Sequence, residues 1–150
     1  MRRAISPAKY TLALMLAMTE PELLAFLASA FPRLDATRFS IDRLTNQELV
    51  LRLATNEDHI RPGGTISGPT LMMMADTATW LLLTSQIGPV ALSVTTNLNI
   101  HFLRKPAVGA LIGRATMLKR GKRLATAQVE LTTDAQPEIV AHATVSYSIP

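Results

Sequence analysis

The chain has 150 residues, 48% of them hydrophobic and 17% charged, with a formal net charge of +4. That length makes a single domain, residues 1–150, able to bury roughly 70% of its unfolded surface, and the composition excludes a disordered chain. There are no cysteines, which excludes disulfides, thiolate nucleophiles and cysteine-based metal sites.

Residues 1–35 form a helical N-terminal extension. "MRRAISPAKYTLALMLAMTEPELLAFLASAFP" places arginines before an apolar run, as a secretion signal does. Lys9 interrupts that run, and Thr19-Glu20-Pro21-Glu22 ends it short of the ~20 residues a membrane span needs. Two helices fit better, in an uncleaved cytoplasmic protein with no membrane partner. Ser6 caps the first, with Pro7 in its first turn. Thr19 caps the second, and Glu22 completes a capping box. Residues 1–33 carry no clustered polar groups and are expected to be separable from any chemistry.

"FSIDRLT" and "ELVLRLA" then read as two short strands joined near Asn46, with Leu49, Leu51 and Leu53 on one face. A polar loop over residues 56–66 leads to a long apolar helix that opens at Ser67 or Gly68, carries Pro69 in its first turn and stops at Gly88-Pro89. A helix apolar nearly all round lies in a membrane or is buried on most sides. Thr70, Asp76, Thr77, Thr79, Thr84 and Ser85 argue against the membrane.

Four alternating segments follow. In "LSVTTNLNIHF" the period of two places Leu92, Val94, Thr96, Leu98, Ile100 and Phe102 on one face, and Ser93, Thr95, Asn97, Asn99 and His101 on the other. "GALIGRATMLK", "LATAQVELTT" and "IVAHATVSYSI" complete the run, joined by the hairpin turns "KRGKR" and "DAQPE". The inward faces are Ala125, Ala127, Val129 and Leu131, then Ile139, Ala141, Ala143, Val145 and Tyr147. One buried helix before an antiparallel meander makes the fold class α+β.

Asp76 is the leading candidate for chemistry, because a buried ionised carboxylate costs several kcal/mol unless it is paired or hydrogen-bonded. The competing reading is a structural Asp bonded to Thr77, Thr79 or a strand threonine. Gly68 is either a plain helix-entry glycine or a site where an unpaired N–H at the positive end of a helix meets a developing oxyanion. Ser67 is an N-cap rather than a nucleophile, since "GTISG" is not the G-x-S-x-G elbow. Arg61 has Glu57 and Asp58 as loop neighbours, or reaches an anionic ligand. Met72, Met73, Met74 and Trp80 are core or pocket wall.

Between Asp76 and Glu130 every charged residue is basic: Arg104, Lys105, Arg114, Lys119, Arg120, Lys122 and Arg123. This asymmetry favours an anionic ligand, the alternative being a solvated basic surface. His59, His101 and His142 lack ligand spacing, so no metal is expected, and no motif for reading nucleic acid is present.

"GGTISGPTLMMMADTA", then "TTNLNIHFLRKPAVGALIGRATMLKRGKRLATAQVEL", then "IVAHATVSY" resemble the hotdog-fold acyl-CoA thioesterases of the phenylacetate-degradation type. The likeness spans about residues 45–148. It implies a curved antiparallel sheet wrapped around the central helix. It implies a homodimer, itself paired into a dimer of dimers, joined through the strand over 91–103 with sites shared between subunits. It implies hydrolysis of acyl-CoA without a cofactor. Asp76 takes the place of the helix carboxylate, nucleophile or general base. Gly68 supplies the amide that polarises the thioester carbonyl, and Thr95 a hydroxyl that holds water or the carboxylate.

Three positions depart from that pattern: Ser67 replaces the usual His, Arg61 the usual Asn, and Pro69 the second Gly of a Gly-Gly pair. Arg104, Lys105, Lys119, Arg120, Lys122 and Arg123 are candidates to meet the CoA phosphates. Gly68 and Asp76 are eight residues apart, about 12 Å along a helix, too far to act on one carbonyl within one chain. The alternatives are a hotdog hydratase or dehydratase, which wants a His beside its carboxylate, and a non-catalytic module that binds acyl-CoA or lipid.

Overall fold

The computed structural model describes residues 16–150, so the helix expected around Ser6 and Pro7 lies outside the described residues. Helix α1, Glu20–Ala30, starts as its sequence directs. The Glu22 amide donates to Thr19 Oγ1, the Thr19 amide donates to Glu22 Oε2, and Pro21 sits in the first turn, where its missing N–H costs nothing. Leu23 and Leu27, one turn apart, point into the core and dock α1 on the main helix and the first strand.

Strands β1 (Phe39–Leu44) and β2 (Glu48–Leu53) form the first hairpin. A short hairpin, β3 (Ile60–Arg61) and β4 (Thr65–Ile66), follows within the expected loop. Helix α2, Gly68–Ile87, begins at its cap Ser67 and stops at Gly88, whose φ of +94° is one that side-chain-bearing residues avoid. Strands β5 (Val94–Phe102), β6 (Leu111–Arg120), β7 (Leu124–Thr133) and β8 (Gln136–Ser148) complete the chain.

Six strands make one antiparallel sheet in the order β1-β2-β6-β7-β8-β5. It curls around α2, which packs on β2, β5, β6, β7 and β8. The expected inward faces are largely where the core lies: Leu49, Leu51 and Leu53 on β2, Ala125, Ala127, Val129 and Leu131 on β7, and Ala141, Ala143, Val145 and Tyr147 on β8 are buried, whereas Ile139, expected on the same face, is only half-buried and its neighbour Val140 is buried instead. Fully burying each leucine contributes about 1.5–3 kcal/mol. Gly113 on β6 lets the helix come close: a Cβ there would stand 3.4 Å from Met74 Cγ. Among the described residues, no helix is long and apolar enough to cross a membrane.

Two expectations need correction. Met72 is not core; it is 41% exposed, because its side of α2 is not covered by the sheet. The unbroken alternation of β5 also fails. Thr95 pairs with Tyr147 but Asn97 pairs with Ser146, so Thr96 is an extra residue in a β-bulge. The bulge shifts the parity of everything before it. Thr95 therefore shares the inward face with Leu98 and Ile100, while Val94 is exposed.

Candidate active site

Twelve residues of α2 are buried, and those left open near its start fall at helical spacing: Gly68, Met72 and Asp76 form one row, Met73 and Thr77 the next. β5 lies at the edge of the sheet, so the rows that its side of the barrel leaves uncovered face outward. This is why a carboxylate is tolerated in an otherwise apolar helix: Asp76 is half-buried, on the one open side.

Asp76 is held through one of its two oxygens. Thr95 Oγ1 donates to Oδ1 at 2.7 Å, and Tyr147 Oη donates to the same atom at 2.6 Å. Among the described residues nothing donates to Oδ2. The β5 bulge brings Thr95 to this position, opposite Tyr147 on β8. Burial, and then the hydrogen bond to the Asp76 carboxylate, push the Tyr147 phenol above its ordinary value of 10.0, so it remains a donor. Thr79 and Thr77 are engaged elsewhere, donating to the Ala75 carbonyl and to Met73 Sδ, so they are not partners of the carboxylate. By its sequence pattern Tyr147 is only a core position. Its signal was a lone hydroxyl at the end of an inward face otherwise made of Ala141, Ala143 and Val145.

Gly68 begins α2, and its N–H is the free one of the first turn. The Ser67 amide donates to the His59 carbonyl at 2.8 Å, and the Thr70 amide to Ser67 Oγ at 3.3 Å. Leu71 donates to the Ser67 carbonyl, and Pro69 has no N–H. Among the described residues only Gly68 has an amide left over in this turn. Ser67 is therefore a cap, as expected, and its hydroxyl also lies 2.8 Å from Thr70 Oγ1. The loop is braced by His59, whose Nδ1 accepts from the Asn56 amide at 2.9 Å. Burial, and then the charge of Arg38, hold this imidazole below its ordinary 6.5, in the neutral form that can accept.

Gly68 opens onto a cleft of 490 Å³ flanked by Arg61, Arg104 and Lys105, with Phe102 and Leu103 as its apolar side. Arg61 is exposed and, among the described residues, pairs with neither Glu57 nor Asp58. Arg104 is steadied by donating to the Ile139 carbonyl at 2.7 Å.

The chain does not bring all the candidates together. Asp76 opens on a separate cavity, and the Gly68 amide is two turns of helix away. Arg120 and Lys122 stand on the β6–β7 turn beside Gln86 and Ile87, at the far end of α2, with Lys119 and Arg123 in the same turn. A 20-residue helix is about 30 Å long, so within one chain they form no single anion site with Arg104 and Lys105. The N-terminal extension, expected to be separable from any chemistry, places Phe31 and Leu34 in the wall of the Asp76 cavity.

Comparison with known proteins gives the family. The sequence profile of the thioesterase superfamily matches residues 63–140. A proposed thioesterase from Silicibacter sp. TM1040 is 39% identical, with a TM-score of 0.84, covering 92% of this chain and 96% of that one. A mutant of the phenylacetic acid degradation protein PaaI from Thermus thermophilus is 25% identical, with a TM-score of 0.67, covering 79% and 99%. Zebra fish thioesterase superfamily member 2 shares the fold at 19% identity, with a TM-score of 0.78, covering 89% and 100%. No curated protein sequence matches the chain. The chain belongs to the thioesterase superfamily, and its fold is the hotdog fold.

Proposed function

We propose that this member of the thioesterase superfamily hydrolyses acyl-CoA thioesters to the free acid and CoA, in sites shared between two copies of the chain. The observation that carries the reading is the asymmetric grip on Asp76: Thr95 and Tyr147 fix Oδ1 and leave Oδ2 to react. As general base, Oδ2 takes a proton from water while the water oxygen bonds to the thioester carbon. The carbonyl electrons move to its oxygen, where the free Gly68 amide stabilises the charge. Collapse breaks the C–S bond, and the thiol leaves with the proton held by Asp76. As nucleophile, Oδ2 attacks the carbon itself, the C–S bond breaks and the thiolate leaves to take a proton from water, and a water molecule then cleaves the mixed anhydride to the free acid and the Asp76 carboxylate. A dehydratase reading would want a His at the carboxylate, whose bound partners are two hydroxyls.

The helix row supports sharing. Gly68 and Asp76 lie about 6 Å to either side of Met72 along α2. A two-fold axis passing near Met72 sets Asp76 of one copy opposite Gly68 of the other. The exposed apolar residues Met72, Val94, Phe102 and Leu103 lie along this side, and β5 offers an unpaired strand edge to its twin. Arg61, Arg104 and Lys105 beside Gly68 then meet the CoA phosphates. The same axis brings the end of one β5 toward the start of the other, and with it the two separate basic groups.

The test is thiol release from a panel of aryl, short and long acyl-CoAs. Wild type should turn over members of the panel, and Asp76→Asn should lower kcat at least ~100-fold, the scale of losing a general base. No thiol release from any member, or an Asp76→Asn variant working at the wild-type rate, would refute the reading.

A further inference from the structure

We propose that α1 and the turn after it close the acyl end of the site, so that Phe31 and Leu34 set the size of the acyl group accepted. The inference rests on the reading of Asp76 as the reacting carboxylate. A cavity of 180 Å³ runs from Asp76 between α2 and the N-terminal segment. Its apolar walls are Met73 and Trp80 from α2 and Phe31 and Leu34 from the N-terminal segment. Both N-terminal residues lie before residue 63, where the superfamily match begins. They lie outside the matched region, in the N-terminal segment.

The wall is built to hold its shape. Phe26 stacks on Trp80 with ring centres 4.9 Å apart and planes at 19°, and Phe31 meets the same indole edge-on at 5.2 Å and 77°. Such aromatic contacts stabilise the wall beyond the area they bury. Leu23, Leu27 and the capping box anchor the helix that presents the two phenylalanines.

Size and lining define the ligand. An engineered apolar cavity of about 150 Å³ holds a benzene ring, and a water-sized group takes about 30 Å³. The space beside Asp76 therefore suits one aromatic ring or a chain of about six carbons. Of the polar groups of the lining, Tyr147 is engaged on Asp76 and the Thr77 hydroxyl on Met73 Sδ, while the buried Trp80 Nε1 has no partner among the described residues. Among the described residues the wall holds no basic side chain to pair with a second carboxylate, so the acyl group is apolar, and a longer chain runs into Phe31 and Leu34.

Trp80 is the only tryptophan in the chain, so its fluorescence reports this cavity alone. In Asp76→Asn protein, acyl-CoAs carrying a phenyl group or a chain of up to about six carbons should change Trp80 emission, and free CoA should not. In the active protein, Phe31→Ala should raise the kcat/KM ratio of a chain of about ten carbons over one of about four by at least tenfold, the scale of one or two methylenes in a pocket. Leu34→Phe, which fills the same space, should move the ratio the other way. Phe31 is 48% exposed, so its removal leaves the core in place. Folded variants that both keep the wild-type chain-length profile, or emission that ignores acyl-CoA, would overturn the proposal. Emission that tracks acyl size in a wild type releasing no thiol would support the wall while refuting hydrolysis.

Discussion

Tyr147 Oη donates to Oδ1 of Asp76 at 2.6 Å, joining residues 71 positions apart in the chain. The last strand of the sheet thereby reaches the middle of the central helix, and the carboxylate has one oxygen held and, among the described residues, one without a donor. Tyr147→Phe keeps the ring and removes the donor. A hydrogen bond to a charged group contributes about 1.5–3 kcal/mol, so kcat should fall at least about tenfold with little change in KM. The raised phenol also leaves a signature in stability. Its contribution is full below the ordinary value of 10.0 and is lost as pH rises beyond it toward the folded value. Urea midpoints should therefore fall more steeply above pH 10.0 in wild type than in Tyr147→Phe. Parallel curves and equal kcat values would mean that the contact does not hold the carboxylate.

The shared site predicts complementation. Asp76→Asn and Gly68→Pro should each be inactive, the first for want of a base and the second for want of the amide. A Cβ at Gly68 finds only the Phe102 ring, at 3.6 Å, so the substitution has room, and proline suits the first helical position. In mixed dimers one of the two sites has both intact parts. Mixing should restore activity toward half that of wild type, in proportion to the fraction of heterodimer measured by native mass spectrometry. Heterodimers that form and remain inactive would place both groups in one chain.

His59 predicts an acid limit. Its Nδ1 must be unprotonated to accept from Asn56, and its carbonyl holds the Ser67 amide just before Gly68. With the folded imidazole held below 6.5, the stability it contributes is present above that value and is lost as pH falls below it. Wild type should lose stability between pH 6.5 and more acidic conditions, and His59→Asn, which does not titrate, should show a flatter profile. Identical urea midpoints across that range in the two proteins would exclude His59 as the brace.

The basic residues predict a split between substrates. Arg61→Gln with Lys105→Gln, at the cleft beside Gly68, should raise KM for acyl-CoA and leave KM for a short pantetheine thioester unchanged. Added salt should narrow the difference between variant and wild type, because exposed charges are screened within about 10 Å at 0.1 M. Replacing Lys119, Arg120, Lys122 and Arg123 with Gln should also raise KM for acyl-CoA, since the two-fold axis brings this end of one copy toward the Gly68 cleft of the other. Equal effects on both substrates would assign the charges to the solvated surface.

Local rules determined much of this protein. Caps, glycine stops and turn residues act over a few positions, so Thr19 with Glu22, Ser67 with Pro69, and Gly88 mark helix ends that the structure keeps. Period-two burial located the inward faces of β2, β7 and β8, because each residue there reports its own side of a pleat. An apolar helix carrying one carboxylate pointed to Asp76 without any partner in view. What the sequence could not decide were relations between distant segments. A bulge is a mismatch between two strands, so the extra residue at Thr96, and with it the inward turn of Thr95, exists only once β5 is laid against β8. Tyr147 looked like any core aromatic until the curl of the sheet set it over Asp76. The N-terminal extension reads as separable because its polar groups are few, yet two apolar residues just past its helix, Phe31 and Leu34, stand in the wall of the cavity, Phe31 against Trp80. Contacts of this kind are settled by tertiary packing, where side chains far apart in the chain meet under constraints that no local pattern records.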